Sequence, residues 1–304
     1  MARKILLISV PECFGANRDE CGLSPEMIRR AGLPGMFQRM GIAVSEKQGI
    51  TSSLKPDRNE EIKNIGRILD VSRKLCSTSL LALRSGETPV VLGGDHSISI
   101  GSEAALSIST AGKCGVIYYD AHADFNTPGT SPSGNFHGMS LAFACGVFGI
   151  KGYRPVHEGL GSAVVDPRSV SIIGARSIDT SEGALLKSSG VSVFTVEDID
   201  TYGIDYVTKK ALKASASGGK RVHVSIDMDV LDPAFAPAVS TPVVGGITLR
   251  ELKLSLKAIK ESESMKSIDV AEINPKAGDP CTTINSAIEA ILTAFGKDSS
   301  ASLL

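Results

Sequence analysis

The stretch VIYYDAHADFNTP (Val116–Pro128) joins an unbroken apolar run, Val116–Tyr119, to Asp120, His122 and Asp124 at every second position. A short run that is apolar throughout reads as a strand buried on both faces, the habit of a parallel sheet. If the chain stays extended past Tyr119, side chains at i, i+2 and i+4 share a face, so two carboxylates and an imidazole point the same way. Carboxylates crowded together in a protein interior require a proton, a cation or water.

The pattern of short apolar runs alternating with helical stretches continues in both directions. Strands are predicted at Ile5–Val10, Pro89–Leu92, Gly115–Tyr119, Val170–Ile173, Val191–Thr195, Val222–Ile226 and Ser267–Ile273. Ser24-Pro25 reads as an N-cap followed by a first-turn proline, with Gly32 closing that helix. Further helices are predicted over Arg58–Ser85 and Ser97–Ser109, from near His137, near 181–189, 203–215 and 248–261, and over Thr283–Phe295. Thr248 and Glu251 form a capping-box pattern. Strand–helix alternation without a linker, repeat or low-complexity tract predicts a single α/β domain over residues 1–304. Its fold class is a three-layer αβα sandwich around a mostly parallel sheet of about eight strands. A closed (β/α) barrel is the competing arrangement.

Composition narrows the function. The 304 residues carry a net charge of −1 and no dense Lys/Arg run, which argues against nucleic acid or an anionic membrane as partner. No apolar stretch approaches the ~20 residues of a membrane span. MARKILLISVPE reads as a first strand and not as a signal peptide. The six cysteines are scattered without a CxxC pair, so all six read as buried or idle thiols of a reduced, cytoplasmic protein.

Four predicted strands end in acids or histidines: PVVLGGDH at Asp95-His96, VIYYDAHAD at the acid cluster, HVSIDMD at Asp227 and Asp229, and SIDVAEINP at Glu272. In open parallel sheets, ligands bind in the crevice outside the carboxyl ends of the strands. One Asp after a strand is ordinarily a turn or helix cap, but turn chemistry does not call for i, i+2 repetition twice. Asp120, Asp124, Asp227 and Asp229 supply four negative charges and His96 and His122 neutral nitrogens, a balance for two divalent cations. A donor set rich in carboxylate and without thiolate suits Mn²⁺ better than structural zinc. Two such ions could share a water and lower its pKa, which is hydrolase chemistry. His223, about 13 Å up the strand from Asp227, reads as structural, His157 as a surface-loop residue, and His137 as a site residue in the loop that follows the acids.

GGDHS (93–97), DAHAD (120–124), SIDMDVLDP (225–233) and TPVVGG (241–246) together resemble the ureohydrolases, the family of arginase and agmatinase, with arginase the nearer pattern. The resemblance runs from GLSPEMIRRAGL (22–33) to EINP (272–275) and implies an αβα sandwich with a binuclear manganese site. It assigns His96, Asp120, Asp124 and Asp227 to one ion, and Asp120, His122, Asp227 and Asp229 to the other. Asn126-Thr127-Pro128 and Ser133-Gly134-Asn135-Phe136-His137-Gly138 match the arginase type, in which Asn126, Ser133 and Asn135 would receive the substrate α-carboxylate. Asp179 and Glu182, in GARSIDTSE, would attend the α-amino group, Glu272 the guanidinium, and Thr241 would shape that end of the pocket. The implied reaction is attack of a metal-bridging hydroxide on L-arginine, giving L-ornithine and urea. Asp124 would carry a proton to the leaving amine, and His137 would either shuttle protons or bind substrate. The rivals are another guanidino hydrolase such as agmatinase, a metal-dependent deacetylase and a non-catalytic regulatory homologue. Ala123 stands where a Thr is common, and strand alternation turns it away from the acids. Family habit predicts a homo-trimer or hexamer.

Overall fold

The computed structural model describes residues 3–17, 20–56, 62–149, 156–157, 161–162 and 164–297. In chain order the elements are β1 Lys4–Val10, α1 Ser24–Arg30, α2 Leu33–Arg39, β2 Ala43–Lys47, α3 Ile65–Arg84, β3 Thr88–Gly93, α4 Ser99–Ser109 and β4 Cys114–Tyr119. There follow α5 Ser140–Ala144, β5 Val156–His157, β6 Gly161–Ser162, β7 Val170–Ala175, α6 Thr180–Ser189, β8 Ser192–Thr195, α7 Val196–Tyr202 and α8 Ile204–Ser215. The chain finishes with β9 Arg221–Asp227, α9 Leu249–Glu261, β10 Met265–Ala271 and α10 Pro280–Ala294. Eight strands pair in the order β2-β1-β3-β10-β9-β4-β7-β8, every pair parallel, while β5 and β6 form a separate antiparallel hairpin. The sheet is open, with edges at β2 and β8, and the barrel alternative falls.

Strand alternation divides the core between the faces. Ile117 and Tyr119 of β4 point into one cluster with Ile28, Leu252, Leu256, Val207 and Ile291, so α1, α8, α9 and α10 cover that face. Val116 and Tyr118 point the other way, toward Leu106, Leu141 and Leu186 of α4, α5 and α6. On that same side, Ile8, Val10 and Val91 meet Val71 and Leu75 of α3. The result is the predicted αβα sandwich, with the sheet parallel throughout.

Local expectations changed in several places. β2 and α2 were not anticipated, and α7 adds a helix before the predicted 203–215 segment, with Gly203 at the junction. The start expected at Arg58 lies outside the described residues, and α3 begins at Ile65 after Asn64, whose φ is +61°. Ser24 does not cap α1: it lies inside the helix, and its hydroxyl lies 2.9 Å from each of the Cys21 and Gly93 carbonyl oxygens. The Thr248–Glu251 capping box is present at the start of α9. Cys13 and Cys21 are joined in a disulfide, which corrects their reading as idle thiols; Cys76, Cys114, Cys145 and Cys281 are not disulfide-bonded. The eight-residue separation is no motif, and the pair meets only because the turn after β1 folds back on the segment before α1. No helix among the described residues is long and apolar enough to cross a membrane.

Candidate metal centre

The predicted residues converge at the carboxyl ends of the four central strands, β3, β10, β9 and β4. His96 follows β3, where the backbone packs closely: a Cβ on Gly94 would lie 2.1 Å from the Glu12 carbonyl oxygen, so GGDH needs a glycine there. Asp95 beside it is fully buried and accepts the backbone N–H groups of Gly15, Ala16 and Ser97, pinning the turn after β1 to the site. Asp95 stands in GGDHS, but its anchoring role shows only in its burial and its three backbone partners.

The acid cluster converges by a different route from the extended one predicted. β4 ends at Tyr119, and the chain bends, with Asp124 at φ +49°. Asp120 accepts the His122 N–H through Oδ1 at 2.7 Å, and Asp229 accepts the Ala121 N–H at 3.1 Å. Ala123 faces away, packed in the apolar cluster with Tyr118 and Phe125. Glu272, just past β10, is the other site residue in the left-handed region, at φ +64°. A carboxylate residue held there is strained, and the surrounding hydrogen bonds fix it.

Two adjoining clusters result. His96 Nδ1 lies 3.2 Å from Asp120 Oδ2, 3.3 Å from Asp124 Oδ2 and 3.4 Å from Asp227 Oδ2. His122 Nδ1 lies 3.3 Å from Asp120 Oδ1 and 3.1 Å from Asp229 Oδ2. Asp120 thus turns one oxygen to each cluster. Asp227 turns Oδ2 to the first and uses Oδ1 to accept the Asp229 N–H at 2.8 Å. Within each of the sets His96/Asp120/Asp124 and Asp120/His122/Asp229, the donor atoms lie within 4.8 Å of one another.

The electrostatics call for positive charge. Burial opposes protonation of His122, yet Asp120 and Asp229 outweigh it and lift the imidazole to about 12. Burial, then the charges of Asp229 and Asp120, push the Asp227 carboxyl well above its usual range. A fully to nearly fully buried group of four carboxylates facing two imidazole nitrogens fits divalent cations.

Beside the clusters lies a cleft of about 230 Å³ whose lining includes Asn126, Ser133, Asn135, Asp179, Glu182 and Thr241. Thr241 donates to Asp229 Oδ2 at 3.1 Å. Asp179 and Glu182 form the capping box of α6. Glu182 Oε1 accepts the Phe125 N–H at 2.9 Å and Oε2 the Asp179 N–H at 3.2 Å, while Asn126 Nδ2 donates to Asp179 at 3.1 Å. Glu272 Oε1 accepts the His96 N–H at 2.8 Å and lies 2.9 Å from His137 Nδ1, while Oε2 is buried without a hydrogen-bond partner. Burial works against a charged His137, but Glu272, Asp124 and Asp95 hold it up to about 10. His223 is away from the clusters, buried between Ser267 and Asp269. His157 lies in β5.

Two groups here escaped sequence reasoning. Tyr118 donates its hydroxyl to Asp124 Oδ2 at 2.8 Å. Arg176 spends its guanidinium on main-chain carbonyls, including those of Gly174, Asp229, Val230 and Val243, tying the segment after β9 to the 241–246 loop. Only its place directly after β7 hinted at a role.

An open parallel sheet whose central strand ends hold two adjoining carboxylate–imidazole clusters has the form of a ureohydrolase. Comparison with known proteins narrows this. The arginase family model matches residues 3–296. The chain is 36% identical over 297 residues to an arginase of Staphylococcus aureus (strain MRSA252), covering 96% of both chains. It is 37% identical over 304 residues to the arginase of Bacillus subtilis (strain 168), covering 98% of this chain and 99% of that one. The native structure of arginase from Bacillus caldovelox at pH 5.6 superposes with a TM-score of 0.89 at 32% identity, covering 98% of this chain and all of the other. The chain belongs to the arginase family, and it is a hydrolase of arginase type.

Proposed function

We propose that the protein cleaves the guanidinium group of L-arginine to L-ornithine and urea with two Mn²⁺ ions bound. The observation that carries the reading is Glu272: one oxygen is fixed by the His96 N–H and His137, and the other is buried with no partner, ready for a guanidinium N–H. His96, Asp120, Asp124 and Asp227 would hold one ion, and Asp120, His122, Asp227 and Asp229 the other. When bound, the pair of ions supplies the acidity that ionises water near neutral pH.

The protein's own groups do the rest. Glu272 orients the planar cation and balances its charge. Tyr118 holds Asp124 through its hydroxyl, and Asp124 carries a proton to the leaving amine. His137, charged beside Glu272, donates or relays protons at the mouth of the cleft. Asn126, Ser133 and Asn135 offer neutral donors to the α-carboxylate, and Asn126 Oδ1 is a buried acceptor without a partner. Asp179 and Glu182 meet the α-amino group, and Thr241 borders the guanidinium end. The α-carboxylate donors favour arginine over agmatine, which has no carboxylate to fill them.

The proposed protein is a single-domain, cytoplasmic homo-trimer or hexamer. Urea release from arginine, agmatine and 4-guanidinobutyrate, each with Mn²⁺, tests the substrate. Arginine should dominate, and turnover of agmatine at an equal kcat/KM refutes the assignment. Light scattering tests the assembly, where a monomer would refute it.

A further inference from the structure

Behind His96 runs a buried hydrogen-bond chain directed away from the cleft. His96 Nε2 lies 2.8 Å from Ser225 Oγ, and Ser225 Oγ donates to Asp269 Oδ1 at 2.6 Å. Asp269 Oδ2 lies 3.0 Å from His223 Nε2, and His223 Nδ1 lies 2.8 Å from Ser267 Oγ. All five residues are at most 1% exposed, so water cannot replace a missing partner. Register brings them together: in the β9–β10 pairing His223 is opposite Ser267 and Ser225 opposite Asp269.

A serine hydroxyl has one proton. Asp269 turns Oδ1 to the Ser225 hydroxyl and Oδ2 to His223 Nε2, the partners of a carboxylate. An ionised carboxylate only accepts, so the Ser225 proton is committed to Asp269. The contact at His96 must then run from Nε2–H to the serine oxygen, so that in the neutral ring, the form that binds a cation, Nδ1 is the bare nitrogen, aimed at Asp120, Asp124 and Asp227. We propose that Ser225, oriented by Asp269 and His223, is a positioning residue that fixes His96 as its Nε2–H tautomer and so readies Nδ1 for the first divalent cation. The proposal rests on reading the His96 cluster as a cation site. Outer partners of this kind typically change metal affinity 10- to 100-fold.

The test has two arms. Mn²⁺ affinity is measured by competition with a fluorescent chelator for wild type and Ser225→Ala; one of the two ions should bind about 10- to 100-fold more weakly in the variant. Nitrogen-15 NMR of histidine-labelled, metal-free wild type, titrated upward until the His96 ring is neutral, should report the Nε2–H tautomer for His96, assigned by its loss in His96→Asn. If Ser225→Ala does not yield folded protein, the NMR arm decides alone. Unchanged affinity for both ions, or an Nδ1–H tautomer in wild type, overturns the relay. Wild type that binds no Mn²⁺ instead defeats the cation-site reading beneath it, while the tautomer measurement still judges the hydrogen-bond chain.

Discussion

Replacing Asp227 with Asn should have little effect on the metal-free protein and a large effect on the metal-loaded one. The side chain is 3% exposed, and its carboxyl is pushed well above its usual range by burial and by Asp229 and Asp120. The metal-free carboxyl is therefore shifted toward its neutral form, and an amide is nearly the isostere of that form. The amide oxygen can still accept the Asp229 N–H that Oδ1 accepts at 2.8 Å. The metal-free change should stay under about 1 kcal/mol. With cations the account reverses. Saturation at a hundred times Kd stabilises the fold by about 2.7 kcal/mol per ion. For 304 residues the unfolding entropy is roughly 0.64 kcal/mol/K, so each ion raises Tm by about 4 °C. A hundredfold loss of affinity cancels that rise. Because Asp227 is assigned to both ions, the Mn²⁺-induced increase should fall by up to about 8 °C, and by about 4 °C if only the His96 cluster is affected. Differential scanning fluorimetry with and without Mn²⁺, against EDTA controls, measures both quantities. An undiminished Mn²⁺ shift, or a metal-free Tm lowered as far as the shift itself, refutes the reasoning.

Asn135→Ala should raise KM for arginine by about tenfold or more, the worth of a hydrogen bond to a charged group, and leave agmatine kinetics nearly unchanged; equal losses on both substrates count against its carboxylate role. Tyr118→Phe should lower kcat several-fold with little change in KM, since Asp124 loses the 2.8 Å hydrogen bond that orients it; steady-state kinetics decide, and an unaltered kcat removes Tyr118 from the site. Glu103 is fully buried with both carboxylate oxygens unpartnered, and burial, then Asp269, pushes it well above its usual range. The folded state keeps a proton that the unfolded chain releases near 4.5, so this group lowers stability as pH rises above that value. Relative to Glu103→Gln, metal-free wild type should lose stability as pH rises above about 4.5, by at most about 1.4 kcal/mol per pH unit while the folded carboxyl keeps its proton, as read by urea unfolding; parallel curves would contradict this.

The central strands were legible in the sequence because a strand buried on both faces is apolar without interruption, as VIYY and PVVL are. β2 was not, because an exposed edge strand, AVSEK, shows neither alternation nor a run. The acids and histidines were legible as a set because four strand ends carried them. Their geometry was not: Asp124 reaches His96 through a left-handed backbone turn where the sequence pattern predicted a continued extended strand. Ser225 and Asp269 alternate with ordinary strand residues, and only the register between β9 and β10 reveals them as partners. The Cys13–Cys21 bond likewise depends on a fold-back that spacing does not encode.

The strand order also bears on how the molecule assembles. β9 and β10 come late in the chain yet occupy the middle of the sheet, between β4 and β3. Before they insert, β2-β1-β3 and β4-β7-β8 share no strand pairing, and His96 and Asp120 stand on separate pieces. Such long-range closure is intrinsically slow. The cation centre spans that seam, so its capacity to bind marks the moment the last strands have entered, and a chain arrested before residue 221 would hold two half-sites with no centre between them.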